Sequence, residues 1–251
     1  MKKLILALLF VACLSFHVSA LGPMSLMSGM GTSVSGEAGC VSGTTFAWNS
    51  LHSSGTNYGC DSAGEALQGT LTGATITDDY VLVTVSNNFL KWTIDSSEFD
   101  PSEGTIWYTM MLIDGDADED VEAGTQFELW VDADNNLICY LSAAEDQIRC
   151  FFEGSEGGVV NHTMFCGNEV LVHDEWYDIG ISWSTTQPGF SCTSELSGQA
   201  VAWDDDADAL GTMTQPTELV IGEEDANGTY SDDVRIKNFV IISGWKTADP
   251  R

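Results

Sequence analysis

"EWYDIGISWS", residues 175–184, decides the fold. Tyr177, Ile179, Ile181 and Trp183 alternate with Asp178, Gly180, Ser182 and Ser184, the period of two that sends successive side chains to opposite faces of a strand. The expectation is an antiparallel sheet with one packed face and one wet face. Upstream, "IWYTMMLI" (106–113) is apolar at both parities, which suits a strand covered on both sides. Further runs rich in β-branched and aromatic residues are "ATITDDYVLVTV" (74–85), "TQFELWVDA" (125–133), "NNLICYLSA" (135–143), "QIRCFFEG" (147–154), "TELVIGEE" (217–224) and "DDVRIKNFVII" (232–242). They are separated by Gly, Asp, Asn and Ser, and no segment has the period of an amphipathic helix. Many short strands at regular spacing imply an all-β, two-sheet sandwich.

Residues 1–20, "MKKLILALLFVACLSFHVSA", combine two lysines, an apolar run and small residues at Val18 and Ala20. This is the pattern of a secretory signal peptide cleaved after Ala20, so a secreted, cell-surface or periplasmic protein is expected. The apolar run is too short to span a bilayer as a helix, and no membrane insertion is expected. Residues 21–65 read as a Gly/Ser-rich lead-in with a local disulfide, able to add edge strands. Residues 66–251 read as one sandwich domain, a length one large all-β domain commonly fills.

Beyond the leader, six basic residues face 38 acidic ones, a formal balance of −32. Nucleic acid and anionic membrane both require Lys and Arg to neutralise phosphate, so neither is a partner. The acids divide between a solvated surface and candidate cation sites. Six cysteines remain: Cys40, Cys60, Cys139, Cys150, Cys166 and Cys192. An even count in an exported chain points to disulfides. A hairpin of "LICYL" (137–141) and "IRCFF" (148–152) pairs Leu137 with Phe152, Cys139 with Cys150 and Leu141 with Ile148. Cross-strand Cβ atoms lie close enough for a bridge, so Cys139 pairs with Cys150. Elimination leaves Cys40 with Cys60 and Cys166 with Cys192.

"EWYDIGISW", a short hairpin, "LVIG", an acidic glycine-bearing loop and the closing "DDVRIKN" together resemble the second half of the concanavalin A-like, laminin G-like jelly-roll domains. The resemblance covers roughly residues 100–245 and departs from the pattern at Ser231 and Lys237. It implies two antiparallel sheets in a jelly roll and calcium-assisted binding of carbohydrate or an extracellular surface protein.

Calcium takes several hard oxygen ligands. Three acidic loops offer them: "DGDADED" (114–120), "DADNN" (132–136) and "WDDDAD" (203–208). Asp114, Asp116 and Asp118 make the best cluster. On the closing strand Asp232 shares parity with Val234 and Ile236, which directs it inward as a metal or hydrogen-bond anchor, because a buried carboxylate alone is costly. Trp130, Trp203 and Tyr230 are the candidates for stacking on sugar rings. Trp130 shares a strand face with Glu128, opposite Phe127, Leu129 and Val131.

Three functions compete. The first is a non-catalytic, lectin-like or adhesive binder with structural calcium. The second is a glycoside hydrolase or polysaccharide lyase on the same fold, with Glu128 and Asp132 as its carboxylates; their spacing of four puts both on one face, as a carboxylate pair requires. The third is a structural exoprotein of a cell surface or appendage. Binding without turnover distinguishes the first from the second, and the sequence leaves ligand identity and oligomeric state open.

Overall fold

Eleven residues buried at both parities except at the two ends, Glu103–Ile113, form the longest strand among the described residues and the axis of one sheet. The computed structural model describes residues 43–48, 57–61, 66–77, 80–84, 88–113, 124–132, 135–142, 147–154, 160–167, 171–187, 189–206, 210–222 and 233–249, all within the compact unit Ser33–Arg251. Among them are sixteen strands and no helix. The first eight are β1 Phe46–Trp48, β2 Asn57–Asp61, β3 Ala66–Thr72, β4 Thr75–Ile76, β5 Val81–Val83, β6 Phe89–Thr93, β7 Glu103–Ile113 and β8 Thr125–Asp132. The rest are β9 Asn135–Ser142, β10 Gln147–Gly154, β11 Val160–Cys166, β12 Trp176–Ser184, β13 Phe190–Leu196, β14 Asp204–Asp206, β15 Glu218–Gly222 and β16 Asp233–Ile242.

All pairings are antiparallel, and the order runs β11-β10-β9-β8-β15-β6-β3-β2-β1-β16-β7-β12-β13-β14. We call β11-β10-β9-β8-β15-β6-β3 the front sheet and β2-β1-β16-β7-β12-β13-β14 the back sheet. Strand β3 pairs with β6 of the front sheet and with β2 of the back sheet, so the two sheets are continuous along one side. The fold is the two-sheet antiparallel jelly-roll sandwich, and Phe46–Trp48 and Asn57–Asp61 supply its strands β1 and β2.

The opposite side of the sandwich is closed by side chains. Cys166 of β11 is bridged to Cys192 of β13 across the sheets. Gly167 N–H donates to Asp204 Oδ2 at 2.7 Å, and His162 Nδ1 lies 2.8 Å from Asp206 Oδ2. Within the front sheet Cys139 is bridged to Cys150, in the register that also sets Leu137 against Phe152 and Leu141 against Ile148. Cys150 Sγ lies 3.4 Å from Cys166 Sγ, so the two bridges touch inside the core. Cys60 is disulfide-bonded, while its expected partner Cys40 lies outside the described residues. The back sheet ends in β14, three consecutive aspartates. Charge on an edge strand discourages pairing with another chain.

Alternation holds along β12 on its inner side: Tyr177, Ile179, Ile181 and Trp183 are buried. The expectation of a wet outer side fails beyond Asp178. Gly180, Ser182 and Ser184 are buried as well, because the segment after β16 folds back over them. Lys246 N–H donates to Ser182 Oγ at 2.6 Å, and Trp107 Nε1–H donates to Thr247 O at 2.9 Å. A Cβ on Gly180 would stand 2.7 Å from the Trp107 ring. Glycine is required there so that the indole can lie flat on the strand.

Parity also changes within β16. Val234 and Ile236 are buried, then Phe239 and Ile241 are, with a register shift between Lys237 and Val240. Asn238 occupies the left-handed region at φ 54°, which Asn tolerates better than most residues. The extra residue is a β-bulge, and it keeps both halves of the strand apolar side inward.

Tyr108 sits in the middle of the core, stacked on Phe239 and edge-on to Phe127, with its hydroxyl donating to Gln126 Oε1. Burial pushes its phenol well above the ordinary tyrosine range. Since the folded value exceeds the unfolded one, this contribution to stability is complete below the unfolded tyrosine pKa of about 10 and is lost as pH rises beyond it. The expected result is a phenolate absorbance titration in which one tyrosine ionises only together with loss of near-ultraviolet circular dichroism. A titration complete in the still-folded protein contradicts this.

Candidate functional site

The front sheet points Phe127, Leu129, Leu137, Cys139, Ile148, Cys150 and Phe152 into the core. Alternation therefore turns Glu128, Trp130, Ile138, Tyr140, Arg149 and Phe151 to the outside. Phe165 joins them, because it is the register partner of Arg149. Across the sheet, Tyr140 faces Arg149 and Arg149 faces Phe165. One row further, Glu128 faces Ile138 and Ile138 faces Phe151. In the next row Trp130 faces Asn136 on one side and Glu218 on the other.

Exposed aromatic rings distinguish this face among the described residues. Trp130 is 40% exposed and Phe165 is 39% exposed, and they are the two aromatic side chains among the exposed large hydrophobics of the described residues. Both stand on the same face of the same sheet. Adjacent strands are about 4.8 Å apart and alternate residues on one strand about 6.6 Å apart, so Trp130, Phe151, Tyr140 and Phe165 form a strip long enough for two or more sugar rings.

Arg149 lies between two rings, with Cζ 5.8 Å from the Tyr140 centroid and 5.3 Å from the Phe165 centroid. Its Nε is buried without a hydrogen-bond partner. The rings orient the guanidinium by cation–π attraction and leave its positive charge in place. Polar groups flank the strip. Lys91 Nζ is 3.5 Å from Glu218 Oε1, and Asn136 Nδ2 donates to Glu153 Oε2 at 3.4 Å. Flat apolar rings bordered by amides, carboxylates and one fixed cation match the two surfaces of a sugar, its C–H face and its rim of hydroxyls.

Other sequence-derived candidates fall elsewhere. Trp203 is on the back sheet, half-buried and edge-on to Trp107 at 5.4 Å, so it packs over that sheet's outer face and does not join Trp130. Glu128 is on the strip. Asp132 is at the end of β8, where its Oδ1 accepts from Asn135 Nδ2 at 2.8 Å and closes the β8–β9 turn. The pairing with β9 shifts register between Trp130 and Asp132. Asp114, Asp116, Asp118, Asp232 and Tyr230 lie outside the described residues. Among the described residues, the one group of three potential metal ligands is Cys150, Cys166 and Cys192, all of them engaged in bridges.

Tyr140, Arg149 and Phe165 were not singled out from sequence. The register that paired Cys139 with Cys150 already places Tyr140 opposite Arg149, so that contact was readable. Phe165 was not, because "VNHTMFC" mixes polar and apolar residues without a period.

No family profile and no curated protein sequence matches this chain. Solved structures do. The botulinum neurotoxin serotype D ligand-binding domain in complex with N-acetylneuraminic acid superposes with a TM-score of 0.60 at 10% identity, covering 82% of this chain and 48% of that one. The serotype D receptor-binding domain gives 0.59 at 9% identity, covering 82% and 50%. The serotype G binding domain gives 0.60 at 10% identity, covering 81% and 48%. The chain spans about half the length of these structures, and at such identity the likeness establishes the β-sandwich fold they share.

Proposed function

We propose that the protein is an exported, non-catalytic, laminin G-like jelly roll that binds a glycan through the outer face of its front sheet, from Trp130 to Phe165. The observation that carries this reading is the placement on that one face of Trp130 and Phe165, the two exposed large aromatics among the described residues. Three further points support it. The leader-like first twenty residues and two buried disulfides suit an oxidising compartment. The similar toxin domains are named for receptor binding, and one is complexed with N-acetylneuraminic acid. Asp132, one of the two carboxylates of the catalytic alternative, has its Oδ1 engaged by Asn135 in the β8–β9 turn.

Binding on a glycan panel without release of product is the expected outcome. Trp130→Ala and Phe165→Ala are each expected to weaken binding of the retained glycan at least tenfold, about 1.4 kcal/mol or more, as removal of a central aromatic anchor does. Unchanged binding by both variants, with their melting temperatures intact, would sink the assignment of this face.

A structural calcium ion held by Asp114, Asp116, Asp118 and Asp232 is the companion proposal, resting on the oxygen-rich donor set in the sequence. A ligand that binds only the folded state raises stability by mass action. The melting temperature should accordingly be higher in millimolar calcium than in chelator, and equal temperatures would refute it.

A further inference from the structure

We propose a second binding site, on the outer face of the back sheet, in which Arg235 and Lys237 receive the carboxylate of an acidic sugar. Val234 and Ile236 are buried in the core, so Arg235 and Lys237 project outward from the same strand, about 6.6 Å apart along it. They are two of the six basic residues beyond the leader. Arg235 Cζ lies 4.9 Å from the Tyr80 ring centroid, and Lys237 Nζ lies 3.7 Å from the Trp176 ring centroid. The two rings are 6.3 Å apart. The four side chains form one cluster, drawn from the turn before β5 and from β12 and β16.

The partners of Arg235 carry the inference. In a chain with 38 acidic residues, Lys91 and Lys246 are paired with Glu218 and Asp205. Arg235 instead has a ring beneath it and a thioether beside it, with Nη1 3.7 Å from Met111 Sδ. Its Nε is buried with no hydrogen-bond partner. Sulfur is a weak acceptor and a ring does not cancel charge. Nε is enclosed and beyond a ligand's reach, so the terminal Nη1 and Nη2, which have no oxygen acceptor among the described residues, are the donors left to meet one. A planar fork of N–H groups is matched by a carboxylate, which accepts two parallel hydrogen bonds.

The surroundings select the rest of the ligand. Thr109, the register partner of Lys237, donates its one hydroxyl proton to Asp178 Oδ1 at 2.9 Å, and the remaining lone pairs of that carboxylate can accept from ring hydroxyls. The remainder of the surface is strongly acidic. Charges further away than the screening length of about 8 Å at physiological salt count little, so a single carboxylate on an otherwise neutral saccharide is accepted, while a densely sulfated polymer meets repulsion along its length. The site is separate from the Trp130 face and does not depend on it.

The test uses the whole chain with its disulfides formed and two probes: a xylotriose bearing one glucuronate, and the same compound with its carboxylate reduced to the alcohol. The acid should bind at least tenfold more tightly than the alcohol at 50 mM salt, and the preference should shrink at 500 mM. Arg235→Gln should abolish the preference, and Lys237→Gln should reduce it several-fold. Equal binding of acid and alcohol overturns the proposal. So does a preference that survives Arg235→Gln in a folded variant, or binding of an aspartate-rich hexapeptide in place of the sugar. If Arg235→Gln does not fold, Lys237→Gln and the salt titration decide the matter by the same criteria.

Discussion

Replacing both Cys166 and Cys192 by alanine is expected to lower stability by about 3.5 kcal/mol, the loop-entropy value for a bridge closing some 26 residues. The bridge joins residues 26 apart in sequence and on different sheets. It lies on the side of the sandwich where no described strand pairs across, so among the described residues the Gly167–Asp204 and His162–Asp206 contacts and the packing of Phe152 on Phe190 are left to hold that side. Alanine is preferred to serine, since both cysteines are buried and a hydroxyl there would lack a partner. The double variant also avoids a lone thiol beside Cys150 Sγ, which at 3.4 Å from Cys166 Sγ would be attacked in exchange for Cys139. Urea unfolding followed by near-ultraviolet circular dichroism measures the loss. A change below about 1 kcal/mol would mean that the side contacts alone close the sandwich.

Trp183→Ala is expected to cost about 3–5 kcal/mol, in the range of buried large-to-small aromatic changes. Trp183 is fully buried, stacks on Phe99 at 4.8 Å and donates from Nε1 to Asp100 O at 2.9 Å. Its ring also fills the space over Gly104, where an added Cβ would come within 2.3 Å. Truncation therefore leaves a cavity, a missing stack and an unpartnered carbonyl together. Gly104→Ala should destabilise for the opposite reason, by overpacking the same contact. A thermal melt of Trp183→Ala that matches the unsubstituted protein would contradict this account of the core.

What the sequence made legible was local. The alternation in residues 177–184 identified β12 and its buried face, and pairing of apolar residues in "LICYL" and "IRCFF" gave both the β9–β10 register and its disulfide. Other features depend on contacts between distant residues. "FSCTSEL" forms β13 although it is not among the runs rich in β-branched and aromatic residues, because Ser191, Thr193 and Ser194 are buried between β12 and the closing edge. The outer side of β12 was expected to be wet, and no local signal announces that Trp107, Trp203 and residues 243–249 cover it. The same limit applies to the surfaces. Trp130 could be chosen by parity within β8, whereas Arg149 required β9 and β11 to supply its rings, and Arg235 required Tyr80 from 155 positions away. Parity identifies which side chains face outward. It does not identify which of them meet.

The central claim is that the outer face of the front sheet receives a glycan. Amide and side-chain chemical-shift mapping with the glycan retained on the panel tests it most directly, in uniformly labelled protein. The account predicts the largest perturbations at Trp130, Tyr140, Arg149, Phe151 and Phe165, all on that face, with little change in the core. Perturbations confined to other surfaces, with those five residues unmoved at saturation, would contradict it.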